Sequence, residues 1–490
     1  MSHSDASRRL FVRTTLGSTA GALASGFGQA PAPPERKMIG IQLGVGPLAR
    51  PDYERVLDQI QERGGVNTLF VFIFTYIRAW TGIEAGRFRG GNYAIVHPRY
   101  YQGTPLRPED TRATDFGDLD ILARLLPAAR KRGMKTFCWV IEDNAKPKLP
   151  NIDALWERDF YGRPGGNHPA GPCSNNPGYR NFLLGLFEDY TRSYEIDGLM
   201  WGSERQGPFG NALGAFHGGG TVDPGRVTCF CEFCERKASR QGIRVERAKQ
   251  GFRELEKFVK AGRAGQRPID GYYVTLWRIL LRYPEILAWE MFWTDAIRET
   301  CTALYEKVKS IRPELPVGWH IWHNNSFHPI YRAEQDYRAM SAYSDFIKPV
   351  LYSNCAGARM ASYLDSVGAN FYGDLPKEQL LEFEYRVMNY REGACDRIPL
   401  TGFSADYVFR ETKRACDSVT GTKTRVWPGI DIDVPTGQGQ SKCTPESVRE
   451  AVFAVFRAGA DGILLSRNYT EMKPENLAAA GKAIRELGLA

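Results

Sequence analysis

Eight times along the chain, a short apolar run gives way to an amphipathic stretch, and this alternation leaves few folds open. The apolar runs span 38–45, 66–74, 134–143, 196–204, 316–324, 345–353, 424–433 and 461–468. Each has the length and apolar character of a buried strand. The stretches that follow carry helical spacing at 50–65, 118–133, 176–194, 286–311, 331–340, 377–392, 444–459 and 473–488. Strict strand–helix alternation, repeated eight times, predicts an α/β fold of the (β/α)8 (TIM barrel) type. No break in the rhythm calls for a second domain, so 38–490 reads as one barrel with an insertion over about 205–275. One stretch stays open: 397–409, within 393–423, also has the look of a strand.

The links between these elements are unequal. Helix-to-strand links are tight. Strand-to-helix links are long at 75–116, 144–176, 205 to about 283, and 354–376. Only one end of the barrel is elaborated, and in this fold that is the C-terminal end of the strands, where active sites are built. The residues to follow are therefore those at strand ends.

Strand three ends in Trp139, Glu142 and Asp143, and strand four in Trp201, Ser203 and Glu204. Strand five supplies His320, Trp322, His323 and Asn324, and strand six Tyr352 and Asn354. Strand seven supplies Asp431 and Asp433, two apart and so on one face, and strand eight Arg467 and Asn468. Carboxylates, aromatics and hydrogen-bonding groups at one mouth suit glycosidic bond cleavage. One carboxylic acid protonates the leaving oxygen, a second carboxylate attacks the sugar or activates water, and flat rings stack on the sugar. Glu204 is the first candidate, because an apolar strand runs straight into it. Asp433 or Asp431 is the second carboxylate, with Glu142 and Asp143 as rivals. Trp139, Trp201, Trp322 and Tyr352 would form a sugar platform, with His320 and Arg467 on hydroxyl or carboxylate groups. Each of these residues also has a plain structural reading, as an ion pair, a loop cap or a packing group. A metal hydrolase on His320, His323 and Glu142 is a weaker reading, since positions 320 and 323 fall on opposite faces of a strand. No phosphate-binding glycine loop and no Gly-x-Ser-x-Gly elbow is present.

The first thirty residues read as an address. Arg8 and Arg9 precede a mildly apolar stretch rich in Gly, Ser and Thr, with Phe11 two positions after the pair and a small-residue site at Gly28–Ala30. The layout resembles a twin-arginine export signal over 1–30, followed by a linker at 31–37, which implies a periplasmic or secreted protein. A disordered basic tail is the plainer alternative. The apolar stretch is too short and polar to span a bilayer, and no other stretch is apolar enough. The net charge of +8 is spread over interleaved acids and bases, so it marks no nucleic-acid surface. Barrels of this type often form homo-oligomers, but no interface signal stands out.

The run 227–237, VTCFCEFCERK, holds Cys229, Cys231 and Cys234 within six positions. Thiols this close form strained disulfides with one another. Three thiolates from one turn suit a tetrahedral zinc ion, with Cys173 from the preceding long loop as fourth ligand. A pair of disulfides including Cys173 is the alternative. Four thiolates close the coordination shell, so the zinc would be structural, and no organic cofactor is implied. The other cysteines are scattered and read as small buried residues or late disulfide partners.

A strand-four glutamate followed by C-x-C-x-x-C, with a cysteine upstream in the third loop, resembles the glycoside hydrolase family 42 β-galactosidases and related clan A barrels. The resemblance covers roughly 130–325. It implies that Glu204 is the acid/base and that Cys173, Cys229, Cys231 and Cys234 hold a structural zinc beside the site. Together with the export signal, it implies an exported glycoside hydrolase acting on an oligo- or polysaccharide, with retention the expected outcome. The chain departs from the family at three points. Ser203 stands where the family has Asn, the gap from Glu204 to Cys229 is long, and strand seven offers aspartates where the family's nucleophile is a glutamate. A carboxyl separation near 5 Å fits retention and about 6.5–9.5 Å inversion. β-Galactosidase specificity is therefore not carried over. A carbohydrate-binding barrel without catalysis, or another sugar-active enzyme such as a lyase, would present a similar mouth.

Overall fold

The computed structural model describes residues 36–75, 82–83, 91–108, 110, 112–142, 152–166, 171–218 and 222–489. The expected export signal and the expected linker up to residue 35 lie outside these residues, as does Asp143. All eight expected strands form: β1 Met38–Leu43, β2 Thr68–Thr75, β3 Lys135–Glu142, β4 Gly198–Ser203, β5 Val317–Ile321, β6 Phe346–Leu351, β7 and β8 Gly462–Ser466. Strand β7 comes in two pieces, Arg425–Val426 and Gly429–Asp431, parted at Trp427 and Pro428, where proline offers no amide to the ladder. Each strand pairs in parallel with its neighbours in sequence, and β1 closes on both β2 and β8. The result is a closed eight-stranded parallel barrel ringed by helices.

Because successive side chains alternate across a strand, each strand feeds two cores. Odd positions of β3, Phe137, Trp139 and Ile141, join Phe70, Phe72, Met200, Phe346, Trp427 and Leu464 inside the barrel. Their neighbours Cys138 and Val140 join the larger layer between barrel and helices. The interior is aromatic at its base: Phe346 stacks on Trp427 at 4.1 Å and Phe72 on Trp139 at 3.9 Å. Two steps along the same strands toward the C-terminal end, the inward positions turn polar, with Gln42, His320, Lys348 and Ser466.

The outer helices are α1 Tyr53–Gly64, α2 Ile121–Lys131, α3 Pro177–Ser193, α4 Glu285–Ile311, the one-turn α5 Tyr337–Met340, α6 Ala405–Val419, α7 Pro445–Arg457 and α8 Pro474–Glu486. Their starts follow local capping chemistry. Asn176 caps α3 ahead of Pro177, and Thr444 and Ser447 form a reciprocal capping box on α7. Two segments differ from expectation. The stretch 397–409 holds no strand; it leads into α6, whose Ser404 caps Asp406. The segment 354–376, expected as a loop, is mostly the helix Ser353–Gly368. The insertion is itself helical, with Glu232–Arg240, Val245–Arg263 and Tyr272–Arg282 leading into α4.

Candidate active site

Glu204 follows the last residue of β4 and stands on the inward side of the barrel mouth. His320, one strand over, donates from Nε2 to its Oε1 at 3.0 Å. Two glycines make this pairing possible. A Cβ at Gly202 would lie 2.7 Å from the Cβ of His320, and one at Gly429 would lie 2.2 Å from Cε of Lys348. Small residues on β4 and β7 thus leave the interior free for the long polar side chains of β5 and β6.

Lys348 lies behind His320. Its Nζ donates to His320 Nδ1 at 3.4 Å, to Tyr352 Oη at 3.2 Å and to Gln42 Oε1 at 3.5 Å. A donor on Nδ1 leaves the imidazole proton on Nε2, where it faces Glu204. Burial, then the charge of Lys348, pushes the imidazole down to about 4, against the pull of Glu204. Burial likewise pushes the Lys348 ammonium down to about 7. Burial also opposes the charge of Glu204, but the hydrogen bond from His320 and the nearby charge of Arg359 outweigh it, and the carboxyl sits below its ordinary range. Glu204 is therefore a carboxylate at rest, with 24% of its side chain exposed.

Tyr352 lines the same space, as do Arg467 and Arg359, whose charges both act on Tyr352. Arg467 is clamped by Glu471 through Nε at 2.9 Å and Nη2 at 2.6 Å. Arg359 projects from the helix Ser353–Gly368 and donates to Nδ1 of His323 at 2.6 Å. His323 is buried, and its other nitrogen meets Tyr407 Oη at 3.0 Å.

The remaining expected residues are placed as follows. Trp139 is interior, but it forms the floor beneath His320, with ring centroids 5.5 Å apart, and is not part of an open platform. Trp201 points the other way, into the helix layer, edge-on to Trp319. Its odd position on β4 puts it opposite Met200 and Gly202, so it cannot stack on a sugar in the barrel. Glu142 is also turned outward. It accepts from Tyr179 of α3 and from Arg205 Nη2 at 2.9 Å, and this buried ion pair holds the third and fourth loops together. Trp322 packs among Phe216, Val222 and Tyr331. Asp431 accepts the amides of Ser353 at 3.1 Å and Asn354 at 3.0 Å, which makes it the cap of the helix Ser353–Gly368. Burial, opposed by those amides, pushes its carboxyl up to about 6. Asn354 spends its side-chain amide on the Val434 carbonyl. Asp433 is paired with Lys473 at 3.2 Å and keeps 11% of its side chain exposed. His320, His323 and Glu142 do not converge. Among the described residues the four cysteines are the one group placed to hold a metal.

Sequence reading missed Lys348, Arg359 and His217. Lys348 carried a signal, a lone lysine at an inward position of an otherwise apolar strand. Arg359 sat in a segment read as loop.

Cys173, Cys229, Cys231 and Cys234 are all buried, and their sulfurs lie within 4.8 Å of one another. The Cys173 sulfur is 3.4 Å from that of Cys234 and 3.5 Å from that of Cys231. At those separations Cys173 is bonded to neither sulfur, and the spacing suits four sulfurs around one ion, since ligands at about 2.3 Å lie roughly 3.8 Å apart in a tetrahedron. Hydrogen bonds from the other three thiols hold Cys231 low, whereas burial pushes Cys229 up. The cluster joins the loop after β3 to the loop after β4, and Asn175 adds a hydrogen bond to the Cys234 sulfur.

No protein-family model matches the chain, and no curated protein matches it by sequence. Among solved structures it is similar to the β-galactosidase of the Antarctic haloarchaeon Halorubrum lacusprofundi, at 14% identity and a TM-score of 0.52, over 92% of this chain and 58% of that one. It is similar also to the β-galactosidase of the psychrophilic Marinomonas ef1, at 13% identity and a TM-score of 0.51, over 92% and 59%. The chain thus spans less than two thirds of the length of either structure. At such identity the likeness establishes the shared (β/α)8 fold.

Proposed function

We propose that this protein is a glycoside hydrolase that acts on a carbohydrate at the barrel mouth, with Glu204 as its central carboxylate. One observation carries the reading: at the end of β4 a partly exposed carboxylate is held by His320 within a ring of Lys348, Tyr352, Arg359 and Arg467. The shared fold with two β-galactosidases supports it as analogy. In its resting ionised form Glu204 is ready to accept a proton from water or to attack the sugar carbon. To donate a proton, it must first lose part of the cationic field around it.

Asp433 is the better second carboxylate of the strand-seven pair, because Asp431 has both oxygens committed to backbone amides. The four cysteines fit a structural zinc, and export by the twin-arginine route, with retention at the anomeric carbon, completes the proposal. That same commitment of Asp431 favours one second reading, a barrel that binds carbohydrate without cleaving it.

Incubation with a panel of aryl glycosides and oligosaccharides, with products followed by proton NMR, decides between them. Release of free sugar is expected, and the first anomer formed reports retention or inversion. Tight binding of a sugar that is never cleaved would establish the binding barrel instead.

A further inference from the structure

The charges at the mouth do not balance in pairs. Arg467 is matched by Glu471, Lys473 by Asp433, and Asp431 by the amides at the start of the helix Ser353–Gly368. Glu204 takes its hydrogen bond from the neutral imidazole of His320. Arg359 is different. It is half-buried, it has no carboxylate within ion-pair reach among the described residues, and its hydrogen bond goes to the neutral His323. Of the five N–H groups of a guanidinium, one is thus used. Half-burying a guanidinium without an anion costs free energy that a bound anion recovers.

His323 gives the arginine a fixed direction. With Nδ1 accepting from Arg359, the ring proton lies on Nε2 and points to Tyr407 Oη, which in turn meets Ser326 Oγ at 2.8 Å. The guanidinium is thus braced from behind by a buried chain. Its charge acts on Glu204 and Tyr352 alike, so it faces the same mouth as the central carboxylate. A planar fork suits a carboxylate in two-point contact.

We propose that Arg359 anchors a carboxylate on the substrate, so that the sugar taken at Glu204 is a uronic acid and not a neutral hexose. This inference rests on the glycosidase reading of Glu204. It also supplies what that reading lacked. An anion on Arg359 cancels part of the field that keeps Glu204 ionised, so binding of the substrate itself turns the carboxylate toward its proton-donating form.

The test is calorimetric binding of D-glucuronate and D-galacturonate against D-glucose and D-galactose, to the full chain and to Arg359→Met and Arg359→Lys. Thermal melts confirm that both variants fold. The expected result is a uronate preference of about tenfold or more, as a charge-assisted contact gives. The preference should vanish in Arg359→Met, persist in part in Arg359→Lys, and be accompanied by proton uptake. A neutral sugar bound as tightly as its uronate overturns the proposal, as does a preference that survives Arg359→Met or a failure of every sugar to bind. Turnover of aryl uronides separates the two claims. A uronate preference without turnover keeps the anchor and removes the hydrolase, and turnover of neutral glycosides alone does the reverse.

Discussion

Glu204, His320 and Lys348 form a line in which each group sets the state of the next; burial keeps His320 and Lys348 toward their neutral forms, and the hydrogen bond from His320 keeps Glu204 ionised against its own burial. His320 is held neutral, at about 4 against an ordinary 6.5. The unfolded chain then binds the extra proton more readily, so this contribution to stability is full above about pH 6.5 and is lost as the pH falls toward 4. Lys348 has the same sign at higher pH, about 7 against an ordinary 10.5. Its burial is costly below pH 7, and the cost fades as the pH rises toward 10.5. Replacing Lys348 with Met should therefore stabilise the fold at pH 6 by about 1–4 kcal/mol, as when buried charges give way to packed apolar groups. The same change should lower activity, because His320 loses the donor that keeps its Nε2 proton toward Glu204. Denaturant melts at pH 6 and pH 9 check the first effect, which should shrink at the higher pH. Nitrogen-15 NMR of His320 checks the second.

At the scale of elements, the strands were legible and some of the helices were not. Inward and outward residues alternate so regularly on β3 and β6 that eight apolar runs sufficed to place the barrel. The helix Ser353–Gly368 escaped because its cap is not local. Its first amides are taken by Asp431 from β7, far away in sequence, and its composition is rich in small residues. Helix α6 escaped for another reason: the aromatic stretch at its start reads equally well as a strand. Strand parity also explains two of the misplaced site residues. Trp201 and Glu142 are one step out of phase with Gly202 and Ile141, so both face the helices. Glycines at inward positions follow from the same geometry. Gly429→Ala would press a methyl group against Lys348, and it should destabilise the fold by about 1–3 kcal/mol. The melting temperature of Gly429→Ala beside that of Gly429→Ala with Lys348→Met tests the cause. The double variant should recover part of the loss.

At the scale of the whole molecule, the barrel supplies the frame, and the third and fourth loops shape its mouth. Among the links between them are the Glu142–Arg205 ion pair and the four cysteines. The cysteine cluster was legible from spacing alone, whereas the ion pair was not, because Arg205 belongs to a loop whose path no periodicity reports. If a structural metal sits in the cluster, a strong chelator should lower the melting temperature by several degrees, and Cys231→Ser should do the same without a chelator. Metal analysis of the purified protein should find about one zinc per chain. All of these parts converge on the carboxylate at the end of β4. The most direct measurement is turnover and binding by Glu204→Gln beside the parent. Turnover should fall by about a hundredfold or more, the scale of general acid–base catalysis, while substrate affinity is kept. Turnover that survives the change would contradict the central role of Glu204 and move the chemistry to another carboxylate at the mouth.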